Sequence, residues 1–388
     1  MFRRKTAFIL GAGASWHYGY PTGEQLVHLV IAQARELANF CEASRAIGNP
    51  FLPQPVKLEG ALPLQQIAQQ WQLLKDKSLA LAQRLEQVNP TLIDYFLAQN
   101  SDLQEIGKLV IAMVILRREH GFNITNENQN KRSLGGTGPS APIIKSSDDW
   151  LRFVLYKITA YCDRSKDLLQ NDVSFVTFNY DTSVERRLRR GLQSISRFEP
   201  ADIEMFLAPP RITHVYGQIC EPHGEPIKIK FPLPTTLSRH ANVDEKTGGQ
   251  ETINNCFAAS HGIFTIDGEE KEQSTEALEH ARCVISEAEI IFVLGYGFDD
   301  SNNRRLKLKE AFARYDHPRS IMFTNMGGIA RVSKAASRVM FNHPAVFMNS
   351  QIQQQAPMVG GVQIPLNWEM SKGNCYSALA DDFESLEE

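Results

Sequence analysis

Residues 7–26 read Ala-Phe-Ile-Leu-Gly-Ala-Gly-Ala-Ser-Trp-His-Tyr-Gly-Tyr-Pro-Thr-Gly-Glu-Gln-Leu, and the reading of this stretch decides the fold. Ala7 to Leu10 is an apolar run of buried-strand length. Gly11-Ala12-Gly13-Ala14-Ser15 breaks it with small residues, and a helical pattern follows, with Leu26, Leu29, Val30, Ala34 and Leu37 on one face. A strand, a glycine turn and a helix can hold a phosphate without a side-chain cation. Glycines let the backbone approach, and free N–H groups near a helix N-terminus point at the anion. The stretch therefore reads as a nucleotide-binding turn, with a tight turn whose glycines serve geometry alone as the alternative. A dehydrogenase-type fingerprint requires a third glycine where Trp16 stands, which disfavours a hydride-transfer site.

The 388 residues suggest two domains, or one large domain carrying an insertion. A hydrophobic share of 43% and a charged share of 22% are those of a globular chain with a substantial core. The net charge of −3 makes no electrostatic case for direct nucleic-acid binding. Met1-Phe2-Arg3-Arg4-Lys5 leads straight into the first strand, so no leader is expected, and the longest apolar run, Leu109 to Leu116, is too short to span a bilayer. The six cysteines are scattered without a C-x-x-C pair, which argues against a zinc site and fits reduced thiols in a cytoplasmic protein.

Beyond the first unit, residues 41–60 read as a linker, and 62–120 as helices without any strand pattern. Helical segments are expected at Leu64 to Leu74, Leu79 to Val88, and Leu103 to Arg118, with an exposed loop over 121–149. Trp150 to Cys162 is helical. Strands are expected at Val173 to Phe178, Ile212 to Tyr216, Pro226 to Phe231, Ile290 to Leu294 and Ser320 to Thr324. Basic helices lie between them, at Thr182 to Leu192 and Arg304 to Arg314. Residues 233–272 read as loop, and the chain beyond Ser350 as a docked, irregular tail. Buried-looking strands alternating with helices predict a Rossmann-like parallel sheet, helices on both faces, plus an all-helical insertion. The expected division is 1–40 and 165–350 for the sheet domain, 41–164 for the insertion and 351–388 for the tail.

In such sheets ligands bind outside the carboxyl ends of the strands. Four strands end in a polar or glycine cluster: Gly11–Ser15, Asn179–Asp181, His214–Gly217 and Gly295–Asp299. Asn179 can hold a ribose hydroxyl or orient a water. Asp181 can accept from a ribose or cap the following helix. His214 can take a proton near neutrality, or it can be a core histidine donating to a carbonyl. Gly295-Tyr296-Gly297 is a second turn where backbone can approach a ligand, and Asp299 can accept from a ribose or cap a helix.

These clusters, in this order, resemble the sirtuin-like superfamily, and within it the NAD-consuming effectors of bacterial antiphage defence. The resemblance covers residues 5–30, 173–220 and 288–305, and more weakly Leu92-Ile93-Asp94-Tyr95-Phe96-Leu97. It implies an NAD+ hydrolase that cleaves the nicotinamide–ribose bond as a toxic effector in abortive infection, with NAD as substrate and no metal. It implies that Asn179 and His214 are catalytic. It further implies that Gly11, Ala12, Gly13, Ala14, Ser15, Pro21, Thr22, Asn179, Asp181, Tyr216, Gly295, Tyr296, Gly297 and Asp299 bind the dinucleotide. Where the family shows His-x-His-Gly, this chain has His214-Val215-Tyr216-Gly217. Either His214 takes the role from a neighbouring position on the same strand face, or Tyr216 fills the place, or the site is impaired. The resemblance also implies a homo-oligomer or a partner such as a HerA-like ATPase, with the helical block 62–120 as assembly surface. The competing readings are an NAD or ADP-ribose-binding regulatory subunit without turnover, and an NAD-dependent protein deacylase, which would lack its zinc module here.

Overall fold

All five residues of the first strand, β1 (Thr6–Leu10), are buried, as are all five of β4 (Ile290–Leu294). Both faces at the centre of the sheet are therefore covered, as parallel sheets require. The computed structural model describes residues 1–56, 63–131, 148–219, 229, 231–234, 237, 243–264, 271–312, 319–341, 358–359, 362–363 and 366–379. Its sheet also contains β2 (Val173–Thr177), β3 (Ile212–His214), β5 (Arg319–Thr324) and β8 (Leu366–Ser371). The six strands run parallel in the order β3-β2-β1-β4-β5-β8, while β6 (Met358–Val359) and β7 (Val362–Gln363) pair antiparallel as a separate hairpin. The chain leaves β1 toward β2 and β3 and then returns to the other side at β4. This is the Rossmann-like order, and β1 and β4 flank its topological switch point.

Register stacks aromatic rings across the three central strands. Phe8 pairs with Phe175 on β2 and with Phe292 on β4, at centroid separations of 5.1 and 5.0 Å. Trp150 stacks on Phe8 at 6.1 Å, and its indole N–H donates to the carbonyl of Ala14. The core of the sheet thus reaches up to the glycine turn and fixes it.

The chain forms two compact units. The first comprises residues 1–18, 144–215 and 272–388 and holds the sheet. Its helices include α1 (Ala12–Trp16), α6 (Trp150–Thr159), α7 (Ser183–Gln193), α8 (Pro200–Leu207) and α10 (Lys271–Glu287). They also include α11 (Asp300–Arg305), α12 (Leu308–Phe312) and α13 (Ala330–Phe341). The second unit, residues 19–143 and 216–271, is helical: α2 (Gly23–Ala46), α3 (Leu64–Val88), α4 (Ile93–Gln99), α5 (Gln104–Lys131) and α9 (Val243–Ser260). The long helix after the glycine turn, expected within the sheet domain, belongs to this unit. Its buried residues run well beyond one stripe, and α3 and α5 pack against it.

Several local expectations need correction. The two helical segments at 64–88 are one helix, whose buried Ile67, Trp71, Leu74, Ser78, Leu81, Ala82 and Leu85 repeat at helical spacing. Residues 121–131, expected as the start of a loop, continue α5 to Lys131, and 132–147 lie outside the described residues. Once a buried helix is nucleated, each added residue gains one hydrogen bond, and Asn-rich sequence does not stop it. Residues 243–260, read as loop, are α9. Gly249 in α9 lies against the Phe40 ring, where any Cβ would overlap it, so this glycine serves close helix packing. The tail contains β8, paired with β5 from Arg319–Leu366 to Thr324–Ser371. Its alternation of Leu366, Trp368 and Met370 with Asn367, Glu369 and Ser371 is the strand signal. The third strand stops at His214, so the expected shared face of His214 and Tyr216 does not exist. Val215 still donates to Thr177, but Gly217 at φ +69 turns the chain into a bridge with Ile263. Most of the strand expected at 226–231 lies outside the described residues.

Candidate functional site

Packing between the two glycine loops dominates the switch point. Gly13 N–H donates to Gly295 O at 3.0 Å, and Gly11 N–H to Leu294 O at 3.0 Å. A Cβ on Gly11 would stand 2.5 Å from Gly295 O, and one on Gly13 would stand 2.8 Å from Gly295 Cα. Gly295 has φ +59, and a Cβ there would overlap Ala14 N. The glycines are thus required to bring β1 and β4 loops into backbone contact. Ala14 N–H is also used, by Gly11 O at 2.9 Å. The expected cradle of free amides at Gly11–Ser15 therefore has three of its donors, on Gly11, Gly13 and Ala14, already bonded inside the protein.

Beside this turn, the end of β2 supplies a buried polar network. Asn179 Nδ2 donates to Gly11 O at 3.1 Å and to Ser15 Oγ at 2.8 Å. Ser15 Oγ donates in turn to Asp181 Oδ1, which also accepts from Ser183 N–H. Burial pushes the Asp181 carboxyl above its ordinary range, against the hydrogen bonds from Ser183 and Ser15. With both amide protons of Asn179 committed, its Oδ1 is the remaining acceptor, and no donor among the described residues reaches it. Asn179 and Ser15 thus meet, and Ser15 Oγ bonds both Asn179 and Asp181.

His214 occupies the end of β3. Its Nδ1 lies 2.8 Å from the carbonyl oxygen of Asn179, and its Nε2 lies 2.7 Å from Glu185 Oε1 on α7. The two side chains are 7% and 13% exposed. A carbonyl can only accept, so Nδ1 carries a proton and Nε2 faces a carboxylate. Both imidazole nitrogens are engaged, and the contact to the Asn179 carbonyl is the one that the core-histidine reading expects. Burial opposes the charged ring, but Glu185, the Asn179 carbonyl and Asp181 together raise the His214 pKa. Burial likewise opposes ionised Glu185, yet His214 holds its carboxyl below the ordinary range.

This pair makes stability depend on pH with a definite sign. A raised histidine contributes fully below its unfolded value and loses that contribution as pH rises through the folded one. A lowered glutamate contributes fully above its unfolded value and loses it as pH falls. The stabilisation is expected to be complete between about pH 4.3 and 6.5 and to decline on both sides. Urea midpoints of the wild type and of Glu185→Gln across this range check it. The variant should lack the decline above neutrality that the pair produces.

The late loop is held from beneath by Asn303, which sequence reading missed. Asn303 Nδ2 donates to Phe298 O at 2.8 Å, and Tyr296 Oη donates to Asn303 Oδ1 at 3.0 Å. Phe298 is buried and held at φ +52, a conformation that strains a bulky residue. The Tyr296 ring stacks on Phe178 at 5.1 Å. Gly297 is exposed, with open space where a Cβ would go. Asp299 is a helix cap: its Oδ1 accepts from Ser301 and Asn302 N–H at 2.9 and 3.2 Å. Thr324 Oγ1 accepts from Gly295 N–H at 2.8 Å, tying β5 to the same loop.

Pro21, Thr22 and Tyr216 fall in the second unit. Thr22 caps α2 through a reciprocal box with Gln25, and Pro21 is buried beside it. Tyr216 is buried, and its carbonyl accepts from Phe264 N–H at 2.9 Å. Trp16 is 44% exposed and packs edge-on against His17. The basic character of α7 is largely neutralised: Arg187 pairs with Asp149 at 2.7 Å and Arg189 with Glu204 at 2.8 Å. Among the described residues no cluster of side chains could hold a metal ion, and no helix is long and apolar enough to cross a membrane. Nothing in the sequence marked Ser183, Glu185 or Asn303, because each acquires its partner only when separate segments meet. No protein-family model, no curated protein and no solved structure matches this chain.

Proposed function

We propose that this chain binds a dinucleotide at the carboxyl ends of β1, β2 and β4 and hydrolyses NAD+ to nicotinamide and ADP-ribose. The observation that carries the reading is Asn179. It sits beside the topological switch point, its amide protons are anchored on Gly11 and Ser15, and its Oδ1 is kept for an outside donor. A ribose hydroxyl or an attacking water supplies such a donor. The bond between C1′ and the nicotinamide nitrogen breaks, and its electron pair neutralises the pyridinium. Water bonds to C1′ of an oxocarbenium-like centre and releases its proton to solvent. The leaving group is neutral, so no general acid is needed.

The residues fit the dinucleotide unevenly. The exposed Gly297 edge and the Phe178–Tyr296 stack offer room and an aromatic surface. The Gly13 and Ala14 amides are already bonded, so a pyrophosphate would have to rely on other donors. As an effector of antiphage defence, such an enzyme needs gating, because uncontrolled NAD loss is toxic. Self-assembly into a homo-oligomer or a HerA-like ATPase partner would supply the gate.

A second reading is nucleotide binding without turnover, favoured by the engagement of both His214 nitrogens. Prolonged incubation with NAD+, with and without the ATPase, separates the two. Nicotinamide release is expected under the first. Tight ADP-ribose binding with no nicotinamide would replace it with the second.

A further inference from the structure

We propose, resting on the dinucleotide reading, that Glu185 and His214 form a positioning dyad: the His214 ring, anchored by the Glu185 carboxylate, grips the Asn179 carbonyl and thereby sets the Asn179 amide for the nucleotide. Three geometric facts carry it. Both ring nitrogens lie within 2.8 Å of acceptors, at distances of 2.8 and 2.7 Å, so only a doubly protonated ring satisfies both when Glu185 is ionised. The acceptor on one side is the main chain of the residue whose side chain reaches Gly11 and Ser15, so the ring acts on the site through Asn179. Glu185 Oε2 is buried with no hydrogen-bond partner among the described residues, and the side chain that its carboxylate bonds is the His214 imidazole.

The charged groups acting on the pair come from two elements. Glu185 and Arg189 lie on α7, and Asp181 lies on the loop before it. Burial weakens the cation, and the two carboxylates outweigh it. When the ring loses its proton, Nδ1–H stays with the carbonyl, and the bare Nε2 then faces a carboxylate. The two lone pairs repel, and the ring that holds the Asn179 carbonyl loses its anchor on Glu185. Proper positioning is therefore a low-pH property. A histidine acting as general base would give the opposite trend, with activity rising as the ring deprotonates.

The test uses the full chain labelled with nitrogen-15, with the His214 ring signals assigned by their loss in His214→Gln. In the wild type both ring nitrogens should stay protonated to a higher pH than in an ordinary imidazole. In Glu185→Gln the ring should lose its second proton at a lower pH than in the wild type. The pH profiles of nicotinamide release and of ADP-ribose affinity form the second readout. The wild type should decline as the His214 ring loses its second proton, and Glu185→Gln should be lowered about 10- to 100-fold with a flat profile over that range. The double variant Glu185→Gln/His214→Gln should lose no more than the worse single variant, because the two residues act as a unit.

A wild-type ring that titrates at or below the ordinary imidazole value, or an unchanged pH profile in Glu185→Gln, overturns the dyad. Absence of nicotinamide release with a doubly protonated ring instead overturns the hydrolase reading and leaves the dyad standing. Should His214→Gln fail to fold, the ring assignment comes from Glu185→Gln, whose shift singles out the one coupled histidine.

Discussion

Asn179→Ala is expected to lower nicotinamide release by about 10²–10³-fold, the loss that follows removal of one preorganised polar group at a reacting centre. ADP-ribose affinity should fall with it, because Oδ1 is the acceptor assigned to the ligand. The protein should still fold. The substitution leaves Gly11 O and Ser15 Oγ without their Nδ2 donor, a cost of about 1–3 kcal/mol. Product analysis alongside urea unfolding separates the two effects. Release within a few-fold of the wild type would remove Asn179 from the chemistry, and the location of the site with it.

Gly295→Ala is expected to damage the fold itself. Its φ of +59 lies where an L side chain is strained, and the added Cβ would overlap Ala14 N and stand 2.7 Å from Gly13 Cα. The neighbours are backbone atoms of the β1 loop and cannot yield as a side-chain tip can. A loss of more than about 3 kcal/mol, or insoluble protein, is the expected outcome. Gly297→Ala, two residues on, meets nothing within 4 Å and should change stability by less than about 1 kcal/mol. Equal unfolding midpoints for the two variants would mean that the β1 and β4 loops do not touch as described.

The contrast between these glycines shows what is legible in a sequence. Gly11, Gly13, Gly295 and Gly297 look alike as turn residues, yet three are fixed by backbone contact between distant loops and one stands open. In the same way His214 at a strand end reads equally as a base or as a core histidine. The choice depends on Glu185, a residue on another element with no sequence mark of its own. Asp299 reads as ribose acceptor or cap, and its Oδ1 caps the helix through two N–H groups.

The sequence by itself determined the parallel sheet, because strand-length apolar runs alternating with amphipathic helices have few other ways to bury both faces. It also determined that β1, β2 and β4 end in polar or glycine clusters, since those residues interrupt the apolar runs directly. Tertiary structure decided the partition of helices between the units, the addition of β8 to the sheet, and the roles of His214, Glu185 and Asn303. Those depend on contacts between residues far apart in the chain. Local periodicity reports which face of an element is buried, and it carries no information about which distant group will be met there.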